Sequence, residues 1–476
     1  MSSVYDVAVI GGGPAGLVAA TLAARYALAT VLFDEQARPG GQRYGAPTTS
    51  GEPARGAPGD QTEALVAALT QSGATAVFDA TAWLARRRGD GLFDIGVARG
   101  TRAARSARFA SARALIIATG AVARPFPIPG ATLPGAMTAA DAEALLRNER
   151  RVPNRRIVFA GNGPLLWQLA FDYLDAGVAL KAVLVTTPRA RRWRALPGMW
   201  NVAASAEFLR GLALEQHVRR RVRVVWNVKS IVARGPERVE TLELETARGI
   251  EIVQADLLVL HQGLVPEINF GGALGCAYRW NDARACFEPV VDAWGGSPLP
   301  GVFFAGDAAD VAGAAAARAR GQLAALAVAN ALGRIDAKAR DNAAEQPRTA
   351  LRRALRGRAF LDALHRPTDA YRIPRGDIVV CRCENVTAGQ VIAVIGQGAA
   401  GPNQVKAFAR CGMGPCQGRF CGLTVTELIA RERGISPADA GYFRLRWPVK
   451  PITVAELAAL PISSEAERAV ARAAEH

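Results

Sequence analysis

Short unbroken apolar runs, each closed by glycine or an acid, recur along the first two thirds of the chain. Asp6 to Ile10 is the first. It is rich in Val and Ile and does not alternate with polar residues, so it reads as a strand buried on both faces of a parallel sheet. An Ala-rich helix is predicted from Leu17 to about Tyr26 and a second strand from Thr30 to Phe33. The same strand–helix–strand rhythm returns with Ile157 to Ala160, a helix to about Tyr173, and a strand from Ala182 to Val185. Leu115 to Gly120, Ala255 to Leu260 and Val302 to Ala305 are further buried strands, the last followed by an Ala-rich helix from about Ala312 to Leu332. Alternation between about 74 and 116 predicts a small antiparallel sheet, and Glu63 to Gln71 has helical period. Residues 51 to 60 read as loop, and the Pro-rich run from Arg124 to Pro134 as a crossover between domains. The class is α/β, built on two strand–helix–strand units.

The turns at the strand ends carry the chemistry. After Ile10 come Gly11, Gly13 and Gly16 at G-x-G-x-x-G spacing, with Pro14 and Ala15 between them. Gly11 permits the tight turn, Gly13 lets the backbone approach a pyrophosphate, and Gly16 lets the helix pack closely on the strand. The helix N-terminus offers free N–H groups to the phosphates. Asp34 and Glu35 close the second strand. Glu35, nineteen positions past Gly16, is placed to accept hydrogen bonds from an adenosine ribose. The loop from Arg38 to Gln42, with Gly41 and Gln42, lies beside the same phosphate path. Ala118-Thr119-Gly120 is a small-residue turn through which a cofactor can approach the backbone. Gly306-Asp307 places a carboxylate at a strand end, suited both to polyol hydroxyls and to capping the following helix. The second unit reads Gly161-Asn162-Gly163-Pro164-Leu165-Leu166. Its third glycine has become Leu166, and its second strand ends in Thr186-Thr187-Pro188 with no acid. This unit is expected to be altered or lost as a nucleotide site; NAD(P), an adenine nucleotide or nothing remains open. His261 is expected to be packed and hydrogen-bonded.

Composition narrows the picture. The 476 residues give room for about three domains, and half of them are hydrophobic. No run of about eighteen apolar residues is present, and the chain enters its first strand almost at once. A cytoplasmic location is therefore expected, with peripheral attachment to the inner membrane through a partner left open. The formal charge is +16, but the arginines are spread among acids; the densest groups lie at 189–194 and 219–223. A solvated basic surface is the expectation, with no nucleic-acid module.

The seven cysteines are unevenly placed. None precedes Cys276, and Cys381, Cys383, Cys411, Cys416 and Cys421 fall within 41 positions. Such grouping points to metal or redox chemistry. Cys381-x-Cys383 ends a predicted strand, helices follow from Thr387 to Ile395 and on to about Arg433, and Cys411 and Cys416 sit on a Gly/Pro turn. Four thiolates satisfy a [2Fe–2S] cluster or zinc, and a neighbouring redox cofactor favours iron. Cys421 is expected as a spare or replacement ligand, Cys276 and Cys286 as ordinary buried residues. No side chain reads as a substrate base, so no catalytic residue is assigned.

Taken in order, the Gly11/Gly13/Gly16 unit, the Thr119-Gly120 turn, the second G-x-G unit and Gly306-Asp307 resemble the two-dinucleotide-binding-domain flavoproteins, which include glutathione and thioredoxin reductases. The resemblance implies FAD in a domain formed by residues 1–150 and 290–335, interrupted by a second dinucleotide-binding-like domain at 151–289. The redox cysteine pair of those reductases is missing here, which excludes their disulfide chemistry. Residues 336–372 are read as a helical connector packing back along the flavin domain. Residues 373–476 are read as a small helical domain and a C-terminal tail, the domain resembling the [2Fe–2S]-binding domain of the bacterioferritin-associated-ferredoxin type. That pattern has C-x-C and later C-x-x-C; Met413 stands at the third position, which draws in Cys411 and implies ligation by Cys381, Cys383, Cys411 and Cys416. The combination, with the tail from Arg444 to Val454, is similar to the large subunits of opine oxidases, hydrogen cyanide synthase and D-hydroxyproline or proline dehydrogenases. That family implies an electron-transfer subunit working beside a smaller flavin subunit that oxidises a C–N bond. It also implies FMN between subunits in some members and a quinone- or cytochrome-like acceptor. The rival readings are a self-sufficient NAD(P)H oxidoreductase and a redox-sensing or iron-delivery module.

Overall fold

Each of the two predicted units becomes the centre of a parallel sheet in the computed structural model, which describes residues 4–41, 59–100, 106–149, 155–191 and 206–460. In the first sheet Val4–Ile10 lies between Thr30–Phe33 and Ser106–Ile117, and Thr75–Val77 extends the parallel edge. Ser106–Ile117 serves two sheets' worth of pairing. Its first half runs antiparallel to Phe93–Arg99, which continues to Ala80–Arg87. Its second half runs parallel to both Val4–Ile10 and Val302–Phe304. The carboxyl ends of four strands thereby meet where Gly11, Asp34, Ala118 and Ala305 follow, the edge at which open α/β sheets take ligands.

The helices Pro14–Arg25 and Ala314–Ala331 pack against each other on this sheet, burying Leu17, Ala19, Ala20, Ala23, Ala324, Ala325 and Val328. Small residues set how close they come. A Cβ at Gly321 would lie 2.3 Å from the Ala15 carbonyl oxygen, and one at Gly306 would meet the Ala15 Cβ at 2.6 Å. The start of the first helix therefore rests against the second about two turns past that helix's own N-terminus.

The second sheet is parallel throughout, ordered Arg223–Trp226, Leu180–Val185, Ile157–Gly161, Leu257–His261 and Ala136–Thr138. A ribbon of Ser230–Arg234, Thr241–Thr246 and Gly249–Gln254 packs beside it.

The connector folds as Ala337–Ala343, Glu345–Ala354 and Arg358–His365. Asp336 caps the first of these by accepting from the Ala339 N–H at 2.7 Å. Leu351 packs on Leu323 and Leu326, and Arg340 and Arg348 lie 4.2 and 4.4 Å from the Trp294 ring centre, holding this part along helix Ala314–Ala331. The third helix goes further than the sequence implies and reaches the mouth between the two sheets.

The C-terminal unit pairs Val379–Cys381 with Val386–Thr387 and adds helices Ala388–Gly396, Pro402–Ala409 and Gly422–Arg433 around Val391, Val405, Val425 and Leu428. Thr387 and Gln390 form a capping box on the first of these. The tail then turns back over the side of the first sheet: Tyr442 stacks edge-on to Phe287 at 5.5 Å and Trp447 to Phe270 at 5.1 Å. Among the described residues no helix is long and apolar enough to cross a membrane.

Candidate functional site

A cavity of about 420 Å³ opens at the strand ends of the first sheet and runs to the G-x-G turn of the second. Gly11, Gly13, Pro14, Glu35, Gly41, Thr119, Gly120 and Asp307 line it. Ala15, Gly16 and Gly306 stand directly behind, where the helices meet. Gln42 lies outside the described residues.

The three glycines of the first turn separate by cause. Gly11 has φ +113°, and its Cβ would lie 2.3 Å from the Ala118 carbonyl oxygen. A Cβ at Gly16 would lie 1.8 Å from the Gly11 oxygen. Both are required by the fold alone. Gly13 is extended (φ −73°, ψ −179°) and a Cβ there would meet nothing within 4 Å. Its bareness serves only whatever enters the cavity. The Thr119 hydroxyl, buried beside it, has no partner. An open cradle, an unmatched hydroxyl and two helix N-termini fit a dinucleotide pyrophosphate.

The two acids also divide their work. Asp34 accepts from the N–H groups of Gly12 and Gln36, the latter at 2.7 Å, and so is spent on the turn. Burial pushes its carboxyl pKa up, against the pull of those two bonds. Glu35 faces the cavity half-exposed, and Lys450 of the tail reaches it at 2.8 Å. Asp307 accepts from the Ala312 and Gly313 N–H groups at 3.0 and 3.3 Å, just ahead of helix Ala314–Ala331, while also lining the cavity.

At the far end, Leu166 fills the gap that a third glycine would leave, buried among Ile157, Phe159 and Val183. The connector covers this turn. Asn162 donates to the His365 carbonyl at 2.9 Å, and Arg191 donates to that of Arg366. His261 is packed as expected, but its Nδ1 has no hydrogen-bond partner, contrary to expectation. Burial pushes its imidazole pKa down to about 4, so it is neutral. Gln262 donates to the Thr186 hydroxyl at 3.0 Å and leaves its own oxygen unmatched.

Five cysteines converge in the C-terminal unit. The sulfurs of Cys381, Cys411 and Cys421 lie within 4.8 Å of one another, all buried. Cys383 is exposed and Cys416 half-buried, and their thiols touch. Cys421 thus lies within the group, at the N-cap of Gly422–Arg433, and its hydrogen bonds to Cys381 and Cys411, together with burial, push its thiol pKa up. Hydrogen bonds from the Cys411 and Cys421 thiols push the Cys381 pKa down. The glycines around them are forced by packing. A Cβ at Gly414 would lie 2.1 Å from the Cys383 Cβ, those at Gly412 and Gly418 would each come within 2.7 Å of the Phe443 ring, and that at Gly422 would lie 2.2 Å from the Tyr442 hydroxyl. The tail is the wedge on which the sulfur loop is formed. A soft, all-thiol donor set of this size suits [2Fe–2S]. Cys276 and Cys286 are buried elsewhere, their thiol pKa values pushed up to about 11 by burial.

Residues 5–331 match the pyridine nucleotide-disulphide oxidoreductase family, and 379–431 match the BFD-like [2Fe-2S] binding domain. An opine oxidase subunit of Agrobacterium tumefaciens is 40% identical over 475 residues, covering 99% of this chain and 94% of that protein. The chain belongs to this opine oxidase family. Hydrogen cyanide synthase subunit HcnB of Pseudomonas aeruginosa is 29% identical, covering 93% of this chain and 96% of that one. The L-proline dehydrogenase of P. horikoshii shares the fold, with a TM-score of 0.68 at 21% identity over 96% of this chain and 79% of that chain. As a member of this family the chain is a flavin oxidoreductase whose cofactors are FAD and a [2Fe–2S] centre.

Proposed function

We propose that this chain is the electron-transfer subunit of a hetero-oligomeric oxidase or dehydrogenase acting on the C–N bonds of opines or amino acids. FAD, when bound, accepts two electrons and releases them singly, as a [2Fe–2S] centre requires. The observation that carries the reading is the sulfur group fastened by its own tail to a flavin fold that contains no disulfide-forming pair before Cys276.

In this reading Gly13 and the two helix N-termini take the FAD pyrophosphate, Glu35 the adenosine ribose, and Thr119, Gly120 and Asp307 the ribityl side. Gly41 borders the phosphate path. Four of the five cysteines, drawn from Cys381, Cys383, Cys411, Cys416 and Cys421, hold the cluster. A smaller flavin subunit oxidises the substrate, with FMN between the subunits where present, and a quinone or cytochrome receives the electrons on the cytoplasmic side of the membrane. The second G-x-G turn, covered by the connector, keeps at most an adenine nucleotide.

The test is dye reduction by this chain with and without its small subunit, using opines, D-amino acids, proline and hydroxyproline isomers, and NADH. Amine oxidation confined to the complex is expected. Rapid amine oxidation by the chain alone, or fast NADH-driven reduction, would overturn the proposal.

A further inference from the structure

The sulfur loop and the flavin-side turn are joined by one buried ion pair. Arg419 lies between Cys416 and Cys421 in sequence. Its guanidinium meets Glu267 at 3.0 Å, with side-chain exposures of 10% and 8%. From there Arg419 donates to the Cys416 carbonyl at 3.2 Å and to the Val449 carbonyl of the tail at 2.8 Å. Glu267 accepts from the Asn269 N–H at 3.1 Å, and its own N–H donates to the Gly120 carbonyl at 3.0 Å. Asn269 in turn donates to the Gln417 carbonyl at 2.8 Å. The segment bonded to the Gly120 turn thus holds the cluster loop at two points, the Gln417 carbonyl through Asn269 and the Arg419 guanidinium through Glu267. Val265, Ile268, Phe287 and Leu423 form the apolar packing beside it.

A charge in such surroundings is weakly screened and acts strongly on its neighbours. The reduction potential of an iron–sulfur centre responds to nearby charge, hydrogen bonds and solvent exposure. We propose that Arg419 and Glu267 are positioning residues that set the potential of the centre held beside Cys416 and fix it to the Gly120 turn. Arg419 puts a fixed positive charge against the loop and favours the reduced, more negative state. Glu267 offsets that charge and anchors it to the flavin side. The proposal rests on the [2Fe–2S] reading of the cysteine group.

Opposite charges must move the potential in opposite directions, which separates this role from simple packing. In the purified complex, dithionite titration followed by electron paramagnetic resonance reads the midpoint of the cluster, with iron and sulfide measured on each sample. Arg419→Met is expected to lower the midpoint and Glu267→Gln to raise it. The double variant should fall between them, and Arg419→Lys should stay close to the native value. Shifts of the same sign, or no shift with about two iron per chain retained, would overturn the proposal. Loss of the cluster in Arg419→Met with an unchanged midpoint in Glu267→Gln would do the same. Absence of iron from the native complex would instead sink the reading of the cysteine group itself.

Discussion

Valine at Gly13 tests the flavin site most cleanly, because the fold places no demand of its own on this glycine. The backbone there is extended, with φ −73° and ψ −179°, a conformation open to any residue, and the space above it is empty of protein to 4 Å. The apoprotein should therefore keep its stability or gain up to about 1 kcal/mol from a stiffer unfolded chain. Cofactor binding should suffer instead, since the side chain projects into the pyrophosphate cradle. A ligand present at about 1,000 times its dissociation constant adds about 4 kcal/mol to the folded state, and that increment should vanish. Gly16→Ala is the contrast. Its Cβ would stand 1.8 Å from the Gly11 oxygen, so the apoprotein itself should lose on the order of 1–3 kcal/mol. Denaturant unfolding of the flavin unit, with and without added FAD, separates the two, and flavin absorbance reports occupancy. The reasoning fails if Gly13→Val binds FAD as tightly as the native chain, or if its apoprotein is weakened as much as that of Gly16→Ala.

Two further outcomes follow from the buried groups. Cys381→Ser and Cys421→Ser should each lower iron and sulfide content with FAD retained, whereas Cys276→Ser, remote from the sulfur group, should leave both unchanged; elemental analysis of anaerobically purified protein checks this. His261 is held neutral by burial, at about 4 against 6.5 when unfolded, so only the unfolded state binds a proton between those values. Stability should fall as pH drops through that window, by at most about 3 kcal/mol from this group. His261→Gln should flatten that limb of a stability–pH curve, and an unchanged slope would contradict the assignment.

What the sequence displayed was local. The Thr30–Phe33 strand has the predicted bounds, and Asp6–Ile10 gained two residues at its start, because an apolar run ending in glycine encodes strand and turn together. Ala136–Thr138 was illegible: three half-buried residues carry no period, and their partner Leu257–His261 lies over a hundred positions away. The same holds for Lys450 on Glu35 and Arg419 on Glu267, which depend on how whole units dock. Cys421 was visible only as a spare or replacement ligand, since matching C-x-x-C drew Cys411 into the third place. Only the fold showed that both sulfurs reach Cys381. Leu166 signalled an altered second site, but that the connector would cover it had no local mark.

The central claim is that electrons reach this chain from an amine-oxidising partner and arrive at its iron–sulfur centre. The direct measurement is electron paramagnetic resonance of the anaerobic complex, frozen after mixing with an opine or, separately, with NADH. The account predicts that the signal of a reduced [2Fe–2S] centre grows with the opine, stays absent with NADH, and disappears in the Cys381→Ser complex. A signal raised by NADH, or an opine that reduces flavin while the centre stays oxidised, would contradict it.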